Sequence, residues 1–493
     1  MKLRIKNFRS LKDTHHIDIK PITILIGKNS SGKSTFLRAF PMLRQSVEEK
    51  TRSPILLYGN YVDFGSYKDI KPHFTKNKSD DKFELSFTFD TDLFKIVNRR
   101  RSIFSTSKNL IFKEFENITF SATFEDNRRQ LLQISEVRFD INDYNLSISF
   151  DHEKKLIKHI FVNYQLLYNQ DDNIKFEDKG EFYLDLFIIK KRAEFVEHRR
   201  FINVIKENIL KIISTIVSNK TSIENRSKIF DNLDLTNDIA LLNSIQEIQL
   251  GKKFRNTVSS WDISDQTFID LRNHLVLHEF INNLYTSVNL YLNNTFSKVK
   301  YIAPLRATAE RYYRMQHLAI NEVDSNGKNL PFFLDSLSEK LMEDFQSWTS
   351  ENFNFKVNIT KIEGHYSIKI LHDENIETNL SDMGFGYSQI LPILTQIWYS
   401  SIRREEKFNS PYVRMVPTNI VIEQPELHLH PEFQAKFADA LCKIISYTLD
   451  KRVKLNIIIE THSDIIINRL GDNILSGTIE SSQINIVIFY KKD

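Results

Sequence analysis

Cysteine is almost missing from this chain: Cys442 is the only one in 493 residues. That excludes an intramolecular disulfide framework and any multi-cysteine zinc or iron–sulfur centre. An excess of one charge is missing too. Lys and Arg number 67 against 63 Asp and Glu, a net +4, which excludes a histone-like cation and leaves room for local basic stripes. No apolar run approaches the roughly 18 residues of a simple membrane span. The start, Met1-Lys-Leu-Arg-Ile-Lys-Asn-Phe-Arg-Ser, lacks the apolar core of a secretory leader. The expected compartment is the cytoplasm, with no membrane partner. What is present is ordinary for a globular chain, 41% hydrophobic and 26% charged, and too apolar for global disorder. The length suggests several domains' worth of core, or one domain with a large insertion.

Hydrophobic patterning divides the chain. Leu3 and Ile5 alternate with polar residues, and Ile22-Thr-Ile-Leu-Ile26 then runs nearly all apolar, as a strand buried on both faces does. Beyond Gly27 a helical stripe follows, with Phe36, Leu37, Phe40 and Leu43. Phe83 to Phe89, Ile118 to Phe124, Ile134 to Phe139, and Ile148 with Phe150 keep period two and read as antiparallel strands. The many phenylalanines sit at these positions, so they read as core. From roughly Phe182 to Lys300 the pattern reads as helical, with few glycines or prolines, and predicts a compact helical insertion. The end alternates helix and apolar strand: Ile390–Tyr399, Asn419–Ile422, Glu432–Leu449, Leu455–Ile459, Ile465–Leu470 and Ile484–Phe489. That spacing implies βαβ units and a mainly parallel sheet.

Gly27-Lys-Asn29-Ser30-Ser31-Gly32-Lys33-Ser34, followed by Thr35, fits G-x-x-x-x-G-K-[ST] in full between a buried strand and a helix. Glycines permit a tight turn that points several N–H groups at one anion, and the helix start adds its positive dipole end. Lys33 reaches the β- and γ-phosphates as a point charge, and the Ser34 hydroxyl ligates Mg²⁺. The segment predicts a site for ATP with Mg²⁺. Such a loop needs an acid from a neighbouring strand. Asn419-Ile-Val-Ile ends at Glu423, followed by Gln424-Pro-Glu426-Leu-His428-Leu-His430-Pro, and Leu455-Asn-Ile-Ile-Ile ends at Glu460-Thr-His462-Ser-Asp464. In open α/β sheets ligands bind at these carboxyl ends of strands.

Together these motifs resemble an ABC-type ATPase head of the RecF-like, SMC-like and OLD-like kind. The order matches: phosphate loop, long insertion, signature helix, acidic strand end, D-loop and H-loop. The resemblance implies a P-loop α/β head, a mainly parallel sheet plus antiparallel strands, split by a large, mainly helical insertion. The expected boundaries are 1–180 for the first part of the head, 181–300 for the insertion and 301–493 for the second part. It places the signature in Leu380-Ser381-Asp-Met-Gly384-Phe-Gly386-Tyr-Ser388-Gln389, a degenerate form that caps the nucleotide of the opposite subunit. A homodimer or higher homo-oligomer follows. It puts Glu423 beside Mg²⁺, Gln424 where the family keeps a catalytic glutamate, and His462 at the γ-phosphate. A glutamine positions water but takes no proton. Either Glu426 supplies the charge, or hydrolysis is slow and binding drives dimerisation. With Glu426, His428 and His430 imitate a metal cluster, but the resemblance gives this segment a D-loop packing role.

Asp382-Met-Gly-Phe-Gly-Tyr-Ser-Gln-Ile-Leu-Pro, Ile422-Glu-Gln-Pro-Glu-Leu-His-Leu-His-Pro and Ala303-Pro-Leu-Arg306-Ala-Thr-Ala-Glu-Arg311-Tyr-Tyr most closely resemble the PtuA-type ATPase subunits of Septu and retron-linked antiphage systems. This implies a sensor and scaffold that controls a separate effector nuclease. A RecF- or SMC-like DNA-maintenance clamp is the alternative. Arg306 and Arg311 either sense phosphate, hold the insertion or are exposed loop cations. DNA is a partner to test, because such heads use basic surfaces and Arg99–Arg101, Lys190–Arg192 and His198–Arg200 are the densest basic runs. Intrinsic nuclease activity is not expected. The middle shows no dense HNH-like or Asp/Glu-x-Lys constellation, and the stretch after His462 is too short for the second catalytic domain of OLD-like proteins.

Overall fold

The computed structural model describes residues 1–71, 82–89, 118–127, 131–178, 184–192, 195–230, 233–316, 320–372, 376–402, 416–451 and 453–490. Arg99–Arg101 lie outside them. The chain falls into two units: Met1–Ile17, Ser46–Leu57 and Phe64–Asn294 form one, and Asp18–Gln45, Tyr58–Asp63 and Thr295–Asp493 the other.

The first unit is built on a 12-stranded sheet, antiparallel along its main path from Leu11–Asp13 through Lys2–Phe8, Phe83–Phe89, Ile118–Asp126, Leu132–Ile141, Tyr144–Asp151, Leu156–Val162 and Ile174–Asp178 to Leu184–Arg192 and Phe195–Arg200. The period-two residues expected inside are inside: Phe87, Phe120 and Phe139 are fully buried. Their rings continue into the helical layer, where Phe139 meets Phe280 edge to face at 4.0 Å between centroids, a favoured aromatic geometry. The helix Phe201–Ile216 buries Phe201, Ile205, Ile209 and Ile213, the i, i+4 stripe of one face.

One expectation changes here. Residues from Phe182 read as helical, yet Leu184–Arg192 and Phe195–Arg200 are paired strands. Leu-Asp-Leu-Phe-Ile-Ile-Lys-Lys-Arg suits either state locally, and pairing with Ile174–Asp178 decides for strand. The helices that follow share their unit with the antiparallel strands, and the second unit resumes at Thr295. Helices and sheet bury each other's apolar faces, and neither is a core alone.

The second unit carries the parallel sheet, in the order Val299–Ile302, Thr418–Glu423, Leu455–Glu460, Ile22–Gly27 and Ile484–Phe489. All its pairs are parallel, as the alternation of helix and strand predicts. Ile22, Ile24, Ile420, Ile422, Ile457 and Ile459 are fully buried, which explains their near-continuous apolar runs. Helices Phe385–Ser401, Pro431–Asp450 and Asp464–Leu475 contribute to one core with them, including Ile393, Leu441 and Ile466. A separate four-stranded antiparallel sheet contains Lys356–Ile362 and His365–Leu371. No helix among the described residues is long and apolar enough to cross a membrane.

Candidate functional site at the strand ends

Gly27 ends its strand at φ +140°, and a Cβ there would stand 2.1 Å from the carbonyl oxygen of Phe489 on the adjacent strand. Only glycine fits. Ser30 at φ 61° and Gly32 at φ 102° then turn the chain into the helix Lys33–Glu48, whose first N–H groups have no partner within the helix. Lys33 is 3% exposed. Its Nζ donates to the carbonyls of Gly27 and Lys28, each at 2.9 Å. The loop thus curls around its own ammonium. Asn29 and Ser30 are exposed, while the Ser31 hydroxyl is buried without a partner.

The two strand-end acids have different partners. The Ser34 hydroxyl donates to Glu460 Oε1 at 2.8 Å, and Lys33 Nζ lies 4.0 Å from the same oxygen. Glu460 Oε2 is buried with no partner, and burial chiefly pushes this carboxyl above its usual range. Glu423 is held elsewhere. Arg38 grips it through two bonds of 2.7 and 2.8 Å, and the Tyr301 hydroxyl donates to it at 2.6 Å. The Glu423 hydrogen bond and charge raise Arg38 further above its already high range, so that cation is permanent. Glu460, Arg38 and Tyr301 were given no role from sequence. Glu460 had a legible signal, an acid directly ending an apolar strand. Nothing local in the sequence marked Arg38 or Tyr301.

Gln424 stands at φ 43° and its N–H donates to the Glu460 carbonyl at 2.8 Å, tying the two acidic strand ends together. Glu426 accepts from Thr461 Oγ1 at 2.8 Å and from the His462 N–H at 2.7 Å. Both its oxygens therefore brace the segment that presents His462, which is exposed. His430 caps the helix Pro431–Asp450 and His428 is exposed at φ 62°. Among the described residues no group of His, Cys, Asp or Glu is arranged to hold a metal ion by itself, so the Glu426–His428–His430 imitation of a cluster dissolves.

The signature segment forms a single turn, Leu380–Asp382, and then the helix Phe385–Ser401, whose cap Gly384 has φ 76°. Ser381, Gly384 and Gly386 are at least partly exposed, whereas Ser388 and Gln389 are buried. Ser388 donates to the Phe385 carbonyl at 2.9 Å and Gln389 Nε2 to the Arg306 carbonyl at 3.4 Å. Those two side chains bind within the chain, whereas Ser381, Gly384 and Gly386 keep surface exposure. Arg306 is buried, donates to the Glu423 carbonyl at 2.8 Å, and leaves Nε and Nη1 without partners. Desolvation lowers its pKa to about 10, so it stays charged at neutral pH. Arg311 pairs with Asp382 at 2.6 and 2.9 Å.

These residues fit a nucleotide with its divalent cation. The loop offers free N–H groups and an ammonium to phosphates, and Ser34 with an unsatisfied buried carboxylate oxygen offers oxygen ligands to Mg²⁺, which favours them. Among solved structures, the chain is similar to an Smc head domain with an extended coiled coil bound to the C-terminal domain of ScpA from Pyrococcus furiosus, at 10% identity and a TM-score of 0.30, covering 95% of this chain and 90% of that one. It is likewise similar to the SMC head domain from Thermotoga maritima, at 10% identity and a TM-score of 0.32 over the same shares. The family model of the AAA ATPase domain matches residues 1–467. The chain belongs to the AAA ATPase domain family.

Proposed function

We propose that this ATPase binds ATP with Mg²⁺ at Gly27–Thr35, dimerises on it, and turns it over slowly. The carrying observation is the commitment of the acids. Gln424 occupies the place of the family's base, Glu426 is fully engaged by Thr461 and His462, and Glu423 is engaged by Arg38 and Tyr301. No free carboxylate stands at Gln424 to take a proton from water, so general-base assistance, commonly worth about 10²–10⁴-fold, is missing there. Lys33 and the first turn of its helix hold the phosphates. Ser34 and a strand-end carboxylate would hold Mg²⁺, which when bound offsets charge on the transferring phosphate. Gln424 orients water, and His462 contacts the γ-phosphate. Ser381, Gly384 and Gly386 offer backbone and hydroxyl donors to the nucleotide of a second copy, because a helix start left without internal partners attracts anions.

The role we assign to this cycle is sensor and scaffold in a prokaryotic antiphage complex that controls a separate effector nuclease. The segments around Asp382, Ile422 and Ala303 support it through their resemblance to such subunits. The test is affinity purification of the chain at native expression, with and without ATP. Recovery of a stoichiometric nuclease subunit is the expected result. Recovery of the chain alone, with salt-sensitive duplex DNA binding, would replace this role by a DNA-maintenance clamp.

A further inference from the structure

We propose that the first unit carries a docking surface for a basic segment of a partner protein, with Tyr164 as its anchor. All the residues of this surface belong to that unit and the phosphate loop does not, so the surface is independent of the nucleotide reading. Two strand turns and two helices are bonded together there. Asn142, in the turn between Leu132–Ile141 and Tyr144–Asp151, donates its Nδ2 to the Thr236 carbonyl at 3.2 Å. Asn163, in the next turn on the same end of the sheet, exchanges bonds of 2.7 and 2.9 Å with Asn145. Asn273 of the helix Gln266–Glu279 donates to Gln165 at 2.8 Å. Its neighbour Arg272 donates at 2.6 Å to Asp238, which opens the helix Asp238–Glu247. Tyr164 and Leu166 flank Gln165, and Ile239 follows Asp238. Three apolar side chains thus stand on one bonded framework, and they are 84%, 50% and 63% exposed.

Strain singles out Tyr164. Val162 pairs with Gln165 across a two-residue turn, and both turn residues are left-handed, Asn163 at φ 48° and Tyr164 at φ 63°. Such a turn takes asparagine followed by glycine readily, whereas a bulky side chain at the second place is strained. A ring this exposed recovers little of that cost by packing. Strained residues held by a rigid frame cluster at binding sites, and tyrosine is a frequent interface anchor. Charge selects the partner. Asp143 sits in the first turn, Asp140 faces Asn145 across the strands, and Asp270 lies one helical turn before Asn273; all three are exposed. No lysine or arginine occurs in 139–153, 159–174 or 229–251. Arg272, the cation bonded into this surface, is 8% exposed and spent on Asp238 and Asn273. The acidic rim therefore repels a nucleic-acid backbone and attracts lysines and arginines placed around an apolar residue.

The experiment replaces Tyr164 by the photo-cross-linker p-benzoylphenylalanine in the full chain, made at native level in its own cells. Mass spectrometry then maps the cross-linked residues. The expected product joins position 164 to a segment of another protein that is net positive and holds an apolar residue. That segment, made as a fluorescent peptide, binds the full chain more weakly as salt rises. Its affinity falls about tenfold or more when Asp143→Lys and Asp270→Lys are combined, and about tenfold in Tyr164→Gly. The pair Asp143→Asn and Asp270→Asn serves if the lysine variant aggregates, with a smaller loss in the same direction. Tyr164→Gly also relieves the turn, so its melting temperature is no lower than wild type, whereas a tyrosine kept for stability would lower it. A cross-link to a second copy, to residues 90–117 of the same chain, to nucleic acid or to an acidic segment overturns the proposal. So does the absence of any cross-link, a lower-melting Tyr164→Gly, or a peptide whose affinity none of these variants moves.

Discussion

Lys33 is the residue on which nucleotide affinity turns. Its ammonium is buried on two loop carbonyls. Lys33→Ala removes the main charge on the β- and γ-phosphates, and calorimetry should show tight ATP binding abolished while the melting temperature moves little. Gly27 is stricter. With a Cβ 2.1 Å from the Phe489 oxygen, Gly27→Ala forces the two strands apart, and we expect a stability loss of about 3 kcal/mol or more by chemical denaturation. Cys442 gives a simple check on packing. It is fully buried and desolvation pushes its thiol up to about 12, so a thiol reagent at pH 8 should label it only after denaturant is added. Rapid labelling of the native chain would contradict the helix packing around it.

At the scale of elements, the segment Ala303–Arg311 links the signature to the acidic turn. Arg306 reaches the Glu423 carbonyl while its own carbonyl takes Gln389 of the signature helix. Arg311 holds Asp382 in an exposed pair. The two arginines should therefore separate in denaturation: Arg311→Ala changes stability by less than about 1 kcal/mol, and Arg306→Ala by about 2–4 kcal/mol. The hairpin Lys2–Phe8 and Leu11–Asp13 carries a pH signature. Its Arg4–Asp13 bonds of 2.8 and 2.5 Å lower the Asp13 carboxyl from 3.8 to about 2, the Arg4 hydrogen bond being the largest cause. A depressed carboxyl contributes its stability above the unfolded pKa and loses it as pH falls through the folded one. Asp13→Asn should then cost about 1 kcal/mol at pH 7, the pair being partly solvent-screened. The difference from wild type should shrink between pH 4 and pH 2.

Much of this was legible from local pattern. Full apolar runs marked the parallel strands, and Ile484–Phe489 falls where the pattern put it. Period two marked the antiparallel strands because their inner face is buried and their outer face is not. The phosphate loop was legible because its glycines answer a backbone need that no other residue meets. What stayed hidden depends on neighbours in space. Glu423 and Glu460 both end apolar strands, and only sheet order tells which one borders the loop. Arg38 looks like a helix surface residue until Glu423 is placed against it. Leu184–Arg192 required its partner strand to be read as a strand.

For the whole molecule, two units are each stabilised by their own core, and the residues proposed to handle ATP all lie in the one containing the parallel sheet. On the proposed reading a second copy completes the site, because Ser381, Gly384 and Gly386 are assigned to the nucleotide of the opposite subunit. Sedimentation velocity of the full chain with and without MgATP tests this most directly, with Lys33→Ala alongside. The account predicts that wild type shifts to a dimer or larger species on MgATP and that Lys33→Ala does not. A wild type that sediments as a monomer in both conditions, while binding ATP, would contradict it.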